Sequence, residues 1–277
     1  MKTATLEQTA QHTRKTRNRL ILRLILLAAA LAAVDGFLIE PYWIRVTHWT
    51  VQGNVTAPLK IAELADLHTS HLGMREESLL KLLDKEAPDI IVIAGDSISK
   101  RGGYPGETPL LGRLHAPLGV WLVRGNWEDD SPLRNEHKYY SSIGIHLLLN
   151  EGARIRDDVW LAGVDDPTFG SADLNRALSG APAGAYTIAL FHSPRFFTTT
   201  AGRYNLALAG HSHGGQVHVP GLERLWLPRG VGPYVSGWFQ QNGSRMYVSR
   251  GVGMTLIPVR FLCRPELPII TIEPVQK

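Results

Sequence analysis

A chain of 277 residues with 44% hydrophobic and 19% charged residues is ordinary for a globular protein and long enough to bury one large α/β core. The net charge of +4 is mild once the basic N-terminus is set aside, so no nucleic-acid partner is implied. The single cysteine, Cys263, excludes an intramolecular disulfide and a thiolate cluster, so any metal must be held by His, Asp and Asn.

Leu20 to Leu38 is almost unbroken apolar sequence, interrupted by Arg23 and Asp35. As a helix it spans roughly 28 Å, enough to cross a bilayer. Arg14, Lys15, Arg17, Arg19 and Arg23 lie at or before its start, whereas Asp35, Glu40, Tyr42 and Trp43 lie toward its end. That asymmetry places the N-terminus in the cytoplasm and the rest of a single-pass cell-membrane protein on the extracytoplasmic side. A cleaved signal peptide, ending near Ala30-Leu31-Ala32, and a helix lying on the inner face are the competing readings. Residues 1–45 are thus expected to be the basic terminus and anchor, and 46–277 the functional domain.

A first strand is expected at Trp49 to Gln52. From Leu59 onward, strand-like runs alternate with helical patterns. Leu59 to Ala65, Ile90 to Ala94, Val120 to Val123 and Ile145 to Leu149 read as strands. Between them, Arg75 to Ala87 reads as a helix ended by Pro88. Thr108 to His115 is a weaker helix, and Ser131 to Ile143 a helix capped by Ser131 with Pro132 at its first position. This βαβα order implies parallel pairing. Farther on, short strands at Trp160 to Val164, Thr187 to Phe191, Leu206 to Ala209, Val217 to Val219, Met246 to Ser249 and Ile269 to Ile272 are separated by Gly and Pro. Only Ala172 to Leu178, and a turn near Arg195 to Thr198, look helical there. The fold class expected is α/β, a two-sheet β-sandwich flanked by helices and preceded by one transmembrane helix.

Five strand ends carry metal-compatible residues: Asp66-Leu67-His68, Gly95-Asp96, Gly125-Asn126, His192 and Gly210-His211-Ser212-His213. Open α/β sheets place their sites where strands end and loops begin. Carboxylates and imidazoles suit Mn, Fe or Zn, and one carboxylate can bridge two ions. Any one of these residues alone is better explained as a turn-former or cap, but five strand ends together supply about four ligands to each of two ions.

In this order the motifs resemble the calcineurin-like metallophosphoesterase superfamily, over essentially all the chain from Leu59. Phe191-His192-Ser193-Pro194, Gly210 to Gln216 and the tail Tyr247 to Gly253, with Pro258-Val259-Arg260 and Arg264-Pro265-Glu266, resemble its bacterial membrane-associated branch. That branch includes phosphodiesterases and pyrophosphatases acting on UDP-diacylglucosamine. The resemblance implies one ion held by Asp66, His68, Asp96 and His213, and a second by Asp96, Asn126, His192 and His211, with Asp96 as the bridge. It implies in-line attack on phosphorus by a hydroxide shared between two divalent ions, with Asp96 and Asn126 as catalytic residues. The substrate implied is a phosphodiester or diphosphate, with a lipid-linked or nucleotide group.

The family usually has His directly after the Asn; here Trp127 stands there, followed by Glu128. An indole N–H donates a hydrogen bond but transfers no proton at neutral pH. Three explanations stay open: a good leaving group, a proton from elsewhere, with His71 the nearest candidate in sequence, or a metal-binding sensory or scaffold protein with weak or no hydrolysis. His115, His146 and His218 read as surface or hydrogen-bonded histidines, and Asp165 and Asp166 as turn residues before Pro167. Leu222, Leu225, Trp226, Leu227, Trp238 and Phe239, interspersed with Arg224 and Arg229, read as a substrate or membrane lip or, more simply, as packing under a long loop. Arg250, Arg260 and Arg264 either donate to a substrate phosphate or tie the C-terminal segment to the sheet.

Overall fold

In the computed structural model, residues 2–99, 103–219 and 227–275 are described. Of the aromatic lip expected from sequence, Leu222, Arg224, Leu225 and Trp226 lie outside the described residues. The chain opens with a long helix, α1 (Lys2–Val34), which continues through a π-helical turn (Asp35–Ile39) and a 3-10 turn (Glu40–Tyr42). Within this stretch, Arg14–Tyr42 is long and apolar enough to cross a membrane.

Two six-stranded sheets follow. The first has the order β1 (Arg45–Gly53), β12 (Glu266–Pro274), β2 (Leu59–Leu64), β3 (Ile90–Ala94), β4 (Val120–Val123), β5 (Ile145–Leu147). Strands β2 to β5 run parallel, as the βαβα reading requires; β12 enters antiparallel beside β2, and β1 lies parallel on its outer side. The second has the order β10 (Gly237–Gln241), β11 (Ser244–Val248), β9 (Leu206–Ala209), β8 (Tyr186–Leu190), β7 (Val159–Gly163), β6 (Glu151–Arg156). Here β7, β8, β9 and β11 are parallel, and β6 and β10 close the edges antiparallel.

The central strands are continuous apolar runs because both faces are covered. Ile61, Val92, Leu161, Ile188, Leu208 and Ile270 fill the layer between the sheets. Outside the first sheet, α2 (Met74–Glu86), α3 (Gly103–Leu111) and α5 (Glu136–Ser142) contribute Leu79, Leu83, Leu110 and Tyr140 to a second core with Ile91, Ile93 and Leu122. Outside the second sheet, α6 (Leu174–Leu178) and α7 (Phe197–Thr200) cover a third with Trp160, Phe191 and Met246.

Several local expectations are corrected. The helix expected from Ser131 to Ile143 begins only at Glu136; Ser131 is instead the C-cap, not an N-cap, of a separate short helix, α4 (Asn126–Asp130), that begins at the Gly125 turn. After it, Asn135, left-handed at φ 65°, opens α5. The helix expected at Thr108 to His115 starts earlier and ends at Leu111. Val217 makes only an isolated bridge to Phe261, so Val217 to Val219 is not a strand. Strand β1 extends over nine residues because its full length pairs with β12.

Candidate metal centre

Parallel pairing places the ends of β2, β3 and β4 side by side in one sheet and those of β8 and β9 in the other. Asp66, His68, Asp96, Asn126, His192, His211 and His213 follow those ends and converge in two groups. Asp66, His68 and His213 form one, and Asp96, His192 and His211 the other. Asp96 lies between them: its Oδ2 is 3.6 Å from His68 Nε2 and 3.4 Å from His192 Nε2. Asn126 completes the second group, its Oδ1 3.2 Å from His192 Nε2.

The backbone is bent to achieve this. Asp66, His68, Asp96, His211 and His213 all have φ between 43° and 69°, a left-handed region that costs a side-chain-bearing residue energy. Such strain concentrates where structure is held for function. Two glycines permit the close approach: a Cβ on Gly125 would lie 2.2 Å from Asp96 Oδ1, and one on Gly95 2.7 Å from His192 Nδ1.

Hydrogen bonds fix which ring nitrogens carry protons. His68 Nδ1 faces the Ile98 carbonyl at 3.3 Å, His192 Nδ1 the Ala94 carbonyl at 2.7 Å, and His211 Nε2 the Arg229 carbonyl at 2.7 Å. A carbonyl only accepts, so each of these nitrogens must donate, and the opposite nitrogen of a neutral ring presents a lone pair to the cluster. The inner nitrogens crowd together: His211 Nδ1 is 2.9 Å from His192 Nε2, and His68 Nε2 is 3.2 Å from His213 Nε2. Imidazole nitrogens converging at these distances suit cations held between them, with the carbonyls acting as the outer support that orients ligating rings. Buried carboxylates, imidazoles and one amide oxygen suit divalent Mn, Fe or Zn.

The electrostatics keep three of the four rings neutral. Burial pushes His68 and His211 down to about 4 and His213 well below its usual range, keeping these rings neutral and able to ligate. Burial also depresses His192, but Asp96 outweighs it and drives the ring up, so this ring, unlike the other three, favours its charged form until a cation takes the place of the Nε2 proton. Burial raises the Asp96 carboxyl, but His192 more than offsets it and holds it low. Asp66 is pushed up to about 7 by burial, with His192 pulling the other way.

Two positioning residues are not apparent from the motif alone. Glu128, fully buried, accepts hydrogen bonds from Asp96 N (3.0 Å), Ser97 N (2.7 Å), Ser97 Oγ (2.8 Å), Ile98 N (3.3 Å) and Gly125 N (2.9 Å). It thereby shapes the Asp96 loop and caps α4; its place three residues after Gly125 was the available signal. Burial, and then Asp96, raise its carboxyl. Arg260 is the largest fully buried side chain among the described residues and donates to the carbonyls of Arg250, Gly251, Gly253 and Cys263. It ties the C-terminal segment together and so does not reach a substrate phosphate. Arg264 stacks 3.8 Å over the Trp43 ring.

Other candidates resolve plainly. His71 is exposed, its Nδ1 3.0 Å from Ser70 Oγ, and it does not line the cavity beside the cluster. Trp127 does line that cavity: its backbone N–H donates to Asp96 Oδ1 at 2.9 Å and its indole packs edge-on to His68, ring centroids 4.5 Å apart. Asp165 accepts from Nε and Nη2 of Arg124, and Asp166 accepts from Ser193 Oγ at 2.6 Å. Trp238 and Phe239 pack into the cores with Trp49, Tyr247 and Tyr234, the packing role. The cavity holds about 520 Å³ and runs from Asp96, Asn126 and His211 out to Phe169, Val217, Leu256 and Ile257.

Comparison with known proteins agrees with this architecture. The family model described as calcineurin-like phosphoesterase matches residues 59–215. The uncharacterized metallophosphoesterase YkuE of Bacillus subtilis is 30% identical, over 90% of this chain and 93% of its own. The phosphodiesterase YaeI of Escherichia coli is 26% identical over 88% of this chain and 95% of its own. A bovine transmembrane protein with a metallophosphoesterase domain is 30% identical over 78% of this chain and 53% of its own.

Proposed function

The chain belongs to the calcineurin-like phosphoesterase family, and from that premise we propose that it is a membrane-anchored, dinuclear phosphohydrolase that cleaves a phosphodiester or diphosphate. Asp66, His68, Asp96 and His213 would hold one divalent ion, and Asp96, Asn126, His192 and His211 the other. The observation that carries the reading is the convergence of Asp66, His68 and His213 in one buried group and of Asp96, His192 and His211 in another, with Asp96 Oδ2 within 3.6 Å of a ring from each. Bound there, two such ions supply an activated water and neutralise charge building on the phosphoryl oxygens.

The chain's own groups set the remaining conditions. The Trp127 N–H holds Asp96 Oδ1, leaving Oδ2 to face both histidine groups. Asn126 adds an oxygen without adding charge. No side-chain nucleophile is required, because water attacks in line. The Trp127 indole cannot protonate a departing oxygen, so the reaction favours a leaving group that departs as a stable anion, as a nucleoside phosphate does from a diphosphate. A lipid-linked or nucleotide diphosphate fits this requirement and the mixed polar and apolar lining of the cavity. With residues 1–45 as anchor and 46–277 as catalytic domain, the basic residues before the apolar helix put the domain on the extracytoplasmic side.

Trp127 favours one second reading, a metal-binding sensor or scaffold. Hydrolysis of bis(p-nitrophenyl) phosphate and of p-nitrophenyl phosphate by the full chain in detergent with Mn2+ separates the two. Diester turnover that Asp96→Asn abolishes is expected; a folded, metal-loaded protein inactive on both compounds and on a nucleoside diphosphate ester supports the sensor.

A further inference from the structure

We infer that the segment from Met254 to Leu262 is a membrane-inserting lip that seats the mouth of the metal-site cavity on the lipid surface. This rests on the reading of α1 as an anchor, and it concerns a surface that reading does not assign. The inference starts from three exposed side chains: Leu256 is 94% exposed, Leu262 60% and Ile257 57%. Scattered apolar residues are ordinary on a surface, but these share one loop, and Leu256 and Ile257 also line the cavity.

Their backbone makes the placement costly. Leu256 has φ 59° and Leu262 φ 53°, where Gly or Asn would be less strained. A loop needing only those turns gains nothing from leucine, whereas a bilayer rewards each such side chain by burying it.

The loop is also bound to the end of the apolar helix. Arg260 N donates to the Gly36 carbonyl at 2.9 Å, and a Cβ on Gly36 would lie 3.2 Å from Val259 Cγ2 and 3.3 Å from the Arg260 carbonyl. Gly36 is therefore where helix and loop can touch. Glu40, buried, accepts from Leu262 N at 2.7 Å and from Cys263 N. From beneath, buried Arg260 ties Arg250, Gly251 and Gly253 to the same loop. Phe37, Leu38, Tyr42 and Trp43 at the helix end are exposed beside this joint, Trp43 under the Arg264 guanidinium. Aromatic and basic groups in that position mark a membrane–water boundary. The apolar surface of the helix thus continues onto the lip, and the occupant of both is the bilayer.

The test places an environment-sensitive fluorophore on Leu256→Cys in the full chain, reconstituted in phosphatidylcholine–phosphatidylglycerol vesicles. Cys263 is buried, so unlabelled wild type controls for background, and Lys138→Cys on the exposed face of α5 provides an aqueous reference. Expected are co-flotation with vesicles, a blue shift of the Leu256→Cys probe, and its quenching by spin-labelled lipid but not by iodide, with the reverse at Lys138→Cys. A chain that co-floats while both probes remain iodide-quenched overturns the lip and leaves the anchor standing. A chain that does not co-float overturns the anchor reading and the lip with it. Enzymatic turnover enters neither readout.

Discussion

Replacing Glu128 by Gln should destabilise the protein and loosen the metal site while barely changing side-chain volume. Its carboxylate accepts three hydrogen bonds on Oε1, from Ser97 N, Ser97 Oγ and Ile98 N, and two on Oε2, from Asp96 N and Gly125 N. All five partners sit as donors. A glutamine amide turned either way sets its NH2 against two backbone N–H groups, Ser97 and Ile98 or Asp96 and Gly125. Each buried donor left unpaired costs on the order of 1–2 kcal/mol, so the loss is about 2–4 kcal/mol. For a domain of this size that corresponds to a fall in Tm of about 5–15 °C. Because Asp96 N is among the donors, Mn2+ affinity should fall as well, by roughly 10–100-fold, as when supporting groups around metal ligands are removed. Scanning calorimetry and Mn2+ titration calorimetry measure the two effects. A variant with wild-type Tm and wild-type Mn2+ affinity would refute the assignment of Glu128 as the organiser of the Asp96 loop.

Glu107 is buried with neither carboxyl oxygen in good hydrogen-bond geometry, and burial pushes its carboxyl from 4.5 up to about 8, with the Ser97 hydroxyl pulling back. Between those pH values the unfolded chain releases a proton that the folded chain keeps, so this group lowers stability as pH rises from about 4.5 to 8. The stability of Glu107→Gln relative to wild type should therefore rise between pH 5 and pH 8 in urea unfolding; a difference independent of pH contradicts the shift. Arg260→Met strands the carbonyls of Arg250, Gly251, Gly253 and Cys263 and should cost about 3 kcal/mol or more; a loss below 1 kcal/mol would show that the carbonyls find other partners. Trp127→His should speed diester substrates with poor, alkyl leaving groups far more than p-nitrophenyl esters, because only the former need a proton. Equal acceleration of both would remove leaving-group protonation from the account.

The parts of the fold legible in the sequence are those whose physics is local. Ile90 to Ala94 and Leu206 to Ala209 are apolar on both faces because sheet and helix layers cover them, and unbroken runs of that kind read directly as buried strands. The metal-compatible residues were legible because each terminates such a run. Strands β6 and β10 were not: Glu151–Arg156 and Gly237–Gln241 lie on sheet edges, half exposed, without a clear inward face. The helical reading from Ser131 began too early because the boundary is set by Asn135 adopting a left-handed backbone. Arg260 could not be assigned from sequence because the carbonyls it serves are brought together only by the loop's own path. His71 lies near the first motif in sequence, but the bend at His68 carries it out to solvent.

The central claim is that two ions act together across Asp96. Stepwise addition of Mn2+ to metal-stripped full-length protein, with bis(p-nitrophenyl) phosphate turnover read at each step, addresses it most directly. Turnover should remain low through the first equivalent and rise to its plateau with the second, and Asp96→Asn should show no such rise. Full turnover at one equivalent, or two bound equivalents with no turnover of this diester or of a nucleoside diphosphate ester, would contradict the account.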